Sequence, residues 1–445
     1  PRHHPNKRVL AMQLDQRVST DKLAAYLLRS EERMQTLRLE ANFPDMRCYF
    51  FVEDKDFAGN TQPMNLVEII RNIADMTKDE HGACRVCNRG VQVRAGAHGD
   101  VVVTRVQLKH GVTVCSGSRA TAVDAYELAL ALSPSPDDVV FTVRTPWQVW
   151  LSVLFTRSNQ LQAMPAFQPR MYPDRYLRPE HFLPPVSQSI RTVSGRRPLA
   201  EVDVRFAYTS CLARHGPLFD AMEDRGGPWL LDMHTCDVAP WRGTLDFCGM
   251  VLVRWAGQEP PRRITLDDPF VRGLTEFRWV TTAILRDFVD RLAVLMRSLE
   301  ITHERVCEQT RDAGLFKPVL ETMVNDAVAK GVPLDVLKRA CNGSVGLMRK
   351  AGNTMDTGVH FFDPVCERTS LALHLLRYPK ARTTSVNDRV AFTTYQATLL
   401  NIHPYTCIWQ QVLEMAAYQM CVLRHEIRQR DARAVPVHLQ TDALF

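Results

Sequence analysis

Glu201, Asp203 and Arg205 alternate with apolar residues in the segment 198–208. Side chains along a β-strand point to alternate faces, so a strand here would place these three charges on one face. Acidic side chains on such a face could bind a divalent metal, and an arginine could pair with phosphate oxygens through its planar guanidinium. The segment is therefore a candidate for phosphate chemistry. The alternative is an ordinary half-buried strand whose charges face water.

Similar alternation recurs in other segments. The sets that would each share one strand face are Arg38, Glu40 and Asn42; Arg105, Gln107 and Lys109; and Thr142 with Arg144. If these faces converge in a curved sheet, they line a basic groove that could hold a triphosphate. If they do not, they are separate solvated faces. The predicted RNA- or triphosphate-binding residues are Arg38, Glu40, Arg94, Arg105, Lys109, Arg144, Arg157, Glu201, Asp203, Arg205 and Arg254.

Two of these segments carry a family resemblance. The run from Glu201 to Arg205 resembles the Glu-x-Glu-x-Lys strand signature of triphosphate tunnel enzymes. The segment 39–43 resembles the first metal-binding strand of RNA triphosphatases, which has a second acid two residues before its glutamate. Arg38 occupies that place here. The resemblance implies a tunnel that still binds a triphosphate but binds a catalytic metal poorly.

With a helical C-terminal half and an Arg- and Cys-rich composition, the chain also resembles the guide-RNA-associated proteins of trypanosomatid mitochondrial mRNA editing. The resemblance covers two short strand motifs and the general layout. It implies a noncatalytic protein that holds the 5′-triphosphate end of guide RNA and scaffolds an editing complex. It implies no catalytic residue, metal or cofactor, a paralogous partner or a homo-oligomer, and a location in the mitochondrial matrix.

Two other functions stay open. One is a metal-dependent RNA 5′-triphosphatase, and the other is a viral tegument or structural protein that binds nucleic acid. The sequence contains no G-x-S-x-G elbow, P-loop, dinucleotide-type glycine motif or H-E-x-x-H. These absences lower the expectation of the enzyme classes that use such motifs.

The predicted helices and strands that would position these residues indicate an α+β fold. We expect an antiparallel, barrel-like β-rich domain over 1–260, with a Pro- and Arg-rich loop at 158–200 inserted, and a helical domain over 261–445. Alternation or apolar runs predict strands at 37–43, 91–94, 101–109, 112–115, 139–144, 149–157, 199–208 and 244–255. Helical spacing predicts helices at 276–299, 316–329, 333–351 and 395–429, whose broad apolar faces would form core or an oligomer interface.

The bulk composition narrows the class of protein. The chain has 445 residues, 45% of them apolar, and a formal charge of +6, which allows a polyanionic partner without requiring one. No apolar run is long enough to span a membrane, so we expect a soluble protein with no membrane partner. The basic start, residues 1–8, fits the end of an organellar presequence or a basic arm.

The twelve cysteines include one close pair, Cys84 and Cys87. Cys48, Cys115 and His81 could complete a zinc site with it through space. Because no second C-x-x-C is present, we expect reduced, mostly buried thiols instead.

Overall fold

The structure is a computed structural model. The residues it describes are 9–14, 18–41, 46–52, 66–76, 86–95, 101–158, 187–189, 202–203, 207–213, 230–231, 238–257, 268–307, 310–311, 316–348, 353–361, 369–379, 381–387, 390–398, 406–432, 438–440 and 443–444.

Helices and strands are numbered here in chain order. The helices are α1 (Thr20–Ala41), α2 (Leu66–Met76), α3 (Arg119–Leu132), α4 (Pro146–Arg157), α5 (Ala207–Ala213), α6 (Pro269–Gly273), α7 (Thr282–Arg291), α8 (Phe316–Ala329), α9 (Leu334–Met348), α10 (Thr369–Arg377) and α11 (Thr406–Arg430). The strands are β1 (Val9–Gln13), β2 (Arg47–Val52), β3 (Val86–Ala95), β4 (Val101–Leu108), β5 (Val112–Ser116), β6 (Ser187–Ser189), β7 (Val202–Asp203), β8 (Leu230–Leu231), β9 (Ala239–Pro240), β10 (Gly249–Trp255), β11 (Arg278–Thr281), β12 (Leu299–Val306), β13 (Thr310–Arg311), β14 (Asn353–Phe361), β15 (Arg382–Asn387), β16 (Val390–Thr398), β17 (His438–Gln440) and β18 (Ala443–Leu444).

The chain forms two compact units that interleave in sequence. The first unit comprises Pro1–Thr145 and Gly352–Leu399, and the second comprises Pro146–Ala351 and Leu400–Phe445. The predicted division at residue 260 falls inside the second unit. A single cut cannot describe these units, because the chain leaves the first unit and later returns to it.

A five-stranded sheet of order β1-β2-β5-β4-β3 forms the centre of the first unit. The β1–β2 and β2–β5 pairs are parallel, and the β5–β4 and β4–β3 pairs are antiparallel. Along β2, Phe50 packs in a core with residues of α1 and α2, whereas Phe51 packs with Ala122 of α3 and with Phe141. Strand β2 is therefore covered on both faces, which explains its continuous apolar run.

The returning segment of the first unit forms an antiparallel sheet of order β14-β16-β15. Phe392 of β16 is buried in the same core as Phe50. The later segment is thus part of the first unit's core, although residues 146–351 separate the two segments in sequence.

The second unit contains an antiparallel sheet of order β11-β10-β12-β9 and a second sheet of order β6-β17-β18-β7. Helix α11 packs against α5, α6, α7 and α9 of the same unit. It is buried from Ile408 to Met420 with one half-buried exception, Gln419. A helix that is buried on nearly all sides belongs to the interior of a large unit.

The polar groups around α11 are paired inside the unit. Tyr418 donates a hydrogen bond to Asp287, and Arg291 donates to the same carboxylate at 2.8 Å. Arg424 and Asp268, both almost completely buried, form an ion pair at 2.9 Å. Such pairing is needed because an unpaired charge in the interior would cost several kcal/mol.

The predicted α+β class is correct. The barrel-like form is not found, because none of the sheets that the structure describes closes on itself and β1, β2 and β5 run parallel. The C-terminal half is also less helical than expected, since it includes strands β11 to β18. None of the described helices is long and apolar enough to cross a membrane.

Several predicted elements have the wrong type. The segment 37–43 is not a strand, because α1 continues to Ala41. The segment 149–157 lies in helix α4, and 139–144 contains no strand. The predicted helix at 276–299 is divided into β11, α7 and the start of β12. Short alternating or wholly apolar runs fit both helix and strand, so packing against the rest of the unit decides between them.

The meander and two helices were predicted correctly. Strands β3, β4 and β5 correspond to the three segments between 91 and 115, and α8 and α9 correspond to 316–329 and 333–351.

Candidate functional site

The sheet of order β6-β17-β18-β7 brings together segments from distant parts of the sequence. Ala443 of β18 is paired with Asp203 of β7, and Leu444 with Val202. On the other side of β18, Ala443 is paired with Gln440, which closes the β17–β18 hairpin. Gln440 in turn is paired with Ser187 of β6. The polar residues Ser187, Gln440 and Asp203 are therefore in one register across four strands.

A second carboxylate lies next to this register in the sequence. Thr441 and Asp442 separate β17 from β18, and both lie outside the described residues. Asp442 is bonded directly to Ala443, whose partner across the strands is Asp203. Paired antiparallel residues have Cα atoms about 5 Å apart and consecutive residues about 3.8 Å. The register therefore sets Asp203 opposite the residue that follows Asp442 in the sequence.

Carboxylates are suitable ligands for divalent cations, because Mg²⁺ and similar ions prefer oxygen ligands and often use one or two carboxylates plus phosphate oxygens. Among the side chains that the structure describes, no group of three His, Cys, Asp or Glu residues could hold a metal ion. The side chains of Asp203 and Asp442 lie outside that described set. The register alone therefore makes them candidates.

Helix α9 presents a second polar feature. Lys338, Asn342 and Gly346 follow one another at i, i+4 and i+8, so they lie along one stripe of the helix. Lys338 and Gly346 are exposed, and a Cβ at Gly346 would have no heavy atom within 4 Å. Asn342 is half-buried, and its Oδ1 is a buried acceptor without a hydrogen-bond partner among the residues that the structure describes. A cation, an amide and an open backbone in line suit a polyphosphate.

Helix α5 links the two features. It begins at Ala207, shortly after Asp203, and packs against α9 and α11. Cys211 of α5 donates to Gln419 of α11 at 3.5 Å. The segment that carries Asp203 is therefore anchored through α5 to the helix that carries Lys338, within one unit.

Among the predicted site residues of the first unit whose side chains the structure describes, Arg38 and Arg105 do not share a groove. Arg38 lies in the last turn of α1, where its guanidinium approaches the turn Lys109–Gly111. Glu40 is exposed on the same helix, and Arg144 is exposed in a loop. The alternating strand face proposed for Arg38 and Glu40 is wrong, because both are helical.

Arg105 of β4 lies on the other face of the sheet from α1. It is paired with Cys115, whose side chain belongs to the core beside α3, and its charge lowers the pKa of Tyr49 against the larger opposite effect of burial. Arg94 lies on β3 opposite Val102, and its side chain is outside the described set. The charges on Arg38 and Arg105 therefore do not converge.

The predicted residues of the second unit have other partners. Arg157 of α4 forms an ion pair with Asp326 of α8 at 3.0 Å. Arg254 of β10 pairs with Glu300 of β12, with 2.7 Å between Nε and Oε2, and lies over the ring of Phe277. Of the central motif, only Asp203 is placed, on β7, while Glu201 and Arg205 lie outside the described residues.

The cysteines that the structure describes do not form the proposed zinc site. Cys48 and Cys115 are both buried, but on opposite faces of the five-stranded sheet. Burial raises the pKa of Cys48 to about 11 and that of Cys115 to about 12, so both are protonated thiols. The predicted buried, reduced thiols are confirmed for this pair. His81 and Cys84 lie outside the described residues.

Two parts of the candidate site were missed. The tail after residue 432 carries the hairpin β17–β18, whose signal was a two-residue polar loop, Thr441 and Asp442, between short segments. The α9 stripe could have been found from the sequence, because Lys338, Asn342 and Gly346 are spaced four residues apart on a helix that was predicted correctly. Neither signal resembles the alternating charges on which the sequence prediction depended.

No family model matches this sequence, and no curated protein matches it. Among solved structures, the chain is similar to Phi29 DNA polymerase complexed with primer-template DNA and incoming nucleotide substrates, with 10% identity, a TM-score of 0.42, and coverage of 96% of this chain and 73% of that chain. Phi29 DNA polymerase complexed with single-stranded DNA matches with 10% identity, a TM-score of 0.43, and coverage of 92% and 72%. At these scores the likeness carries no argument about this chain.

Proposed function

We propose that this chain is a nucleic-acid enzyme that catalyses metal-dependent nucleotidyl transfer, extending a primer with nucleotides from nucleoside triphosphates. The observation that carries the proposal is the register that sets Asp203 opposite Ala443, the residue that follows Asp442. The formal charge of +6 is consistent with a polyanionic partner.

The two carboxylates would hold the catalytic cations, and α9 would bind the nucleoside triphosphate. Divalent cations held by Asp203 and Asp442 would stabilise the attacking and leaving oxygens of an in-line displacement. Lys338 would pair with the triphosphate, and the donor groups of Asn342 would orient it. The primer's 3′-hydroxyl would lose its proton to water as its oxygen attacks the α-phosphorus. A new P–O bond would form, and the bond to pyrophosphate would break.

Primer extension tests the proposal. A labelled DNA primer on a DNA template, with deoxynucleotides and Mg²⁺ or Mn²⁺, should be extended by the full chain according to the template sequence. Chelation of the metal should stop extension, and parallel RNA primers, RNA templates and ribonucleotides should identify the preferred nucleic acid. Absence of incorporation by folded protein with every combination would refute the proposal.

Lys338→Ala should raise KM for the nucleoside triphosphate about tenfold, which corresponds to roughly 1.4 kcal/mol of lost binding. The physical reason is the loss of one cation facing the triphosphate, while the carboxylates remain. Steady-state incorporation kinetics measure this change. Lys330→Ala is the matched control, since Lys330 is also exposed but lies after the end of α8. An unchanged KM in Lys338→Ala would remove α9 from the site.

The noncatalytic guide-RNA function stays a prediction, as does RNA triphosphatase activity. Binding of 5′-triphosphorylated RNA can be compared with binding of hydroxyl-ended RNA over a range of salt concentrations. A strong preference for the triphosphate, weakened by Arg205→Ala and without incorporation, would favour guide-RNA binding. Release of inorganic phosphate from the RNA end, without incorporation, would favour the triphosphatase.

A further inference from the structure

Glu414 lies in the middle of α11 and is completely buried. Its Oε1 accepts two hydrogen bonds from Thr281, one from the backbone N–H at 2.7 Å and one from Oγ1 at 3.0 Å. Its Oε2 is buried and has no hydrogen-bond partner among the described residues. An ionised carboxylate with one unsatisfied oxygen would be costly here, because burial of an unpaired charge is strongly unfavourable.

Gln410 lies one helical turn before Glu414 and is also buried. Its Nε2 donates to the carbonyl oxygen of Trp279 at 3.4 Å, and its Oε1 is a buried acceptor without a described donor. Residues at i and i+4 are neighbours on a helix surface. Oε1 of Gln410 and Oε2 of Glu414 are therefore two acceptors on neighbouring residues, and the described part of the chain supplies a donor to neither. An ionised Glu414 supplies none, whereas a protonated one supplies one.

We propose that Glu414 is protonated in the folded protein at neutral pH and donates its Oε2–H to Oε1 of Gln410, which makes the pair a proton-dependent latch between α11 and β11. The latch has two attachments on β11, the carbonyl of Trp279 and the N–H and hydroxyl of Thr281. Loss of the proton breaks the bond between the two side chains and leaves a buried carboxylate facing an amide oxygen. The hydrogen bonds from Thr281 become stronger but do not offset the burial of this charge. This device does not depend on the proposed nucleotidyl transfer.

The surroundings favour the protonated state. Burial raises the pKa of Glu414 to about 8, and the two hydrogen bonds from Thr281 only partly oppose this effect. Several charged and titratable groups lie on α11 and on the elements packed around it. They include Tyr418 with the Asp287–Arg291 pair, the Asp268–Arg424 pair, Cys421, His425, Glu426, Arg428 and Arg430 of α11, Arg278 of β11, Cys211 of α5 and Cys341 of α9. None of these is among the influences on the pKa of Glu414, and Arg305 lies against the ring of Trp279 instead.

The direction of the pH dependence follows. In the unfolded chain the carboxyl of Glu414 has its ordinary pKa of 4.5, so it releases a proton that the folded protein keeps. The stabilisation by this proton is complete below about pH 4.5 and is lost progressively as pH rises to about 8. Above that pH the carboxylate is ionised in both states.

Thermal unfolding of the full chain at several values between pH 5 and pH 8 tests the latch. Wild type should lose roughly 5 °C of Tm over this range relative to Glu414→Gln, whose amide cannot ionise. Glu426→Gln, an exposed change on the same helix, should keep the wild-type dependence. The same pH dependence in wild type and Glu414→Gln would overturn the proposal.

Infrared spectroscopy of the folded protein gives an independent readout. A protonated carboxyl band should be present at pH 7 in wild type and absent in Glu414→Gln. Gln410→Met removes the acceptor, so the band should move toward the position of a carboxyl group without a hydrogen bond. A wild-type spectrum without this band would show an ionised Glu414 and overturn the latch, even if a variant fails to fold. A band that Gln410→Met leaves in place would overturn the bond to Gln410.

Discussion

Asp203→Asn is expected to abolish primer extension, with a loss in kcat of at least about 10²–10³-fold, the loss seen when one electrostatic contact to a reacting centre is removed. The substitution keeps the size of the side chain and removes one negative charge. A neutral amide binds divalent cations far less well than a carboxylate, so the cation that activates the primer's hydroxyl would be poorly held. The measurement is single-nucleotide incorporation under saturating substrate.

Stability must be followed in the same preparation. Asp203 lies in a strand of two residues at the edge of its sheet, so the thermal unfolding of Asp203→Asn should stay close to that of wild type. Glu321→Gln, an exposed carboxylate of α8 in the same unit, is the matched control and should keep full activity. Normal incorporation by a folded Asp203→Asn would exclude this strand from the catalytic site.

Asp442→Asn extends the same argument to the other carboxylate. The register sets Asp203 opposite Ala443, which follows Asp442 in the sequence. If the two acids hold cations together, their losses in kcat should be strongly non-additive. Independent, additive effects would instead mean that the two acids act in different places. This comparison separates a shared site from two unrelated acidic residues.

The parts of the fold predicted from sequence were those with a long, regular apolar period. Helices α8 and α9 have buried residues at helical spacing, and the β3–β4–β5 meander alternates over many residues. Helix α4 was predicted as a strand because its run from Trp147 to Phe155 is largely apolar and fits either element. Its helical form depends on packing against α8 and α9, which the local sequence does not contain.

The candidate site was predicted only in part, for a related reason. Asp203 was singled out from its own segment, but its partner strand comes from the last residues of the chain. Strands β7 and β18 have two residues each, too few to show any periodicity. Their pairing is determined by the folding of the whole second unit, including α5 and α11, so no local pattern could indicate it.

The opposite error arose with Arg38 and Glu40. Their alternation with leucines was interpreted as a strand face, yet the helix that contains them starts at Thr20 and buries Leu23, Leu27 and Met34 in the core. A helical period sustained over several turns outweighs alternation over a few residues, because the helix buries much more apolar surface. The segment that was predicted as the first strand of the phosphate groove is therefore part of a helix.

Gly249→Ala is expected to destabilise the second unit by about 4 kcal/mol or more, in the range reserved for severe steric or packing defects. A Cβ at Gly249 would lie 1.9 Å from the backbone oxygen of Arg305 in β12 and 2.8 Å from the ring of Phe247. The carbonyl of Arg305 belongs to a strand paired with β10, so it cannot move aside without breaking the pairing. Thermal or urea unfolding of the purified chain measures the loss, and insoluble expression would agree with it.

Gly346→Ala is the matched control, because a Cβ there meets open space within a helix and should stabilise the chain by roughly 0.5–1 kcal/mol. Equal stabilities of the two variants would mean that the close approach of β10 and β12 at Gly249 does not exist in solution.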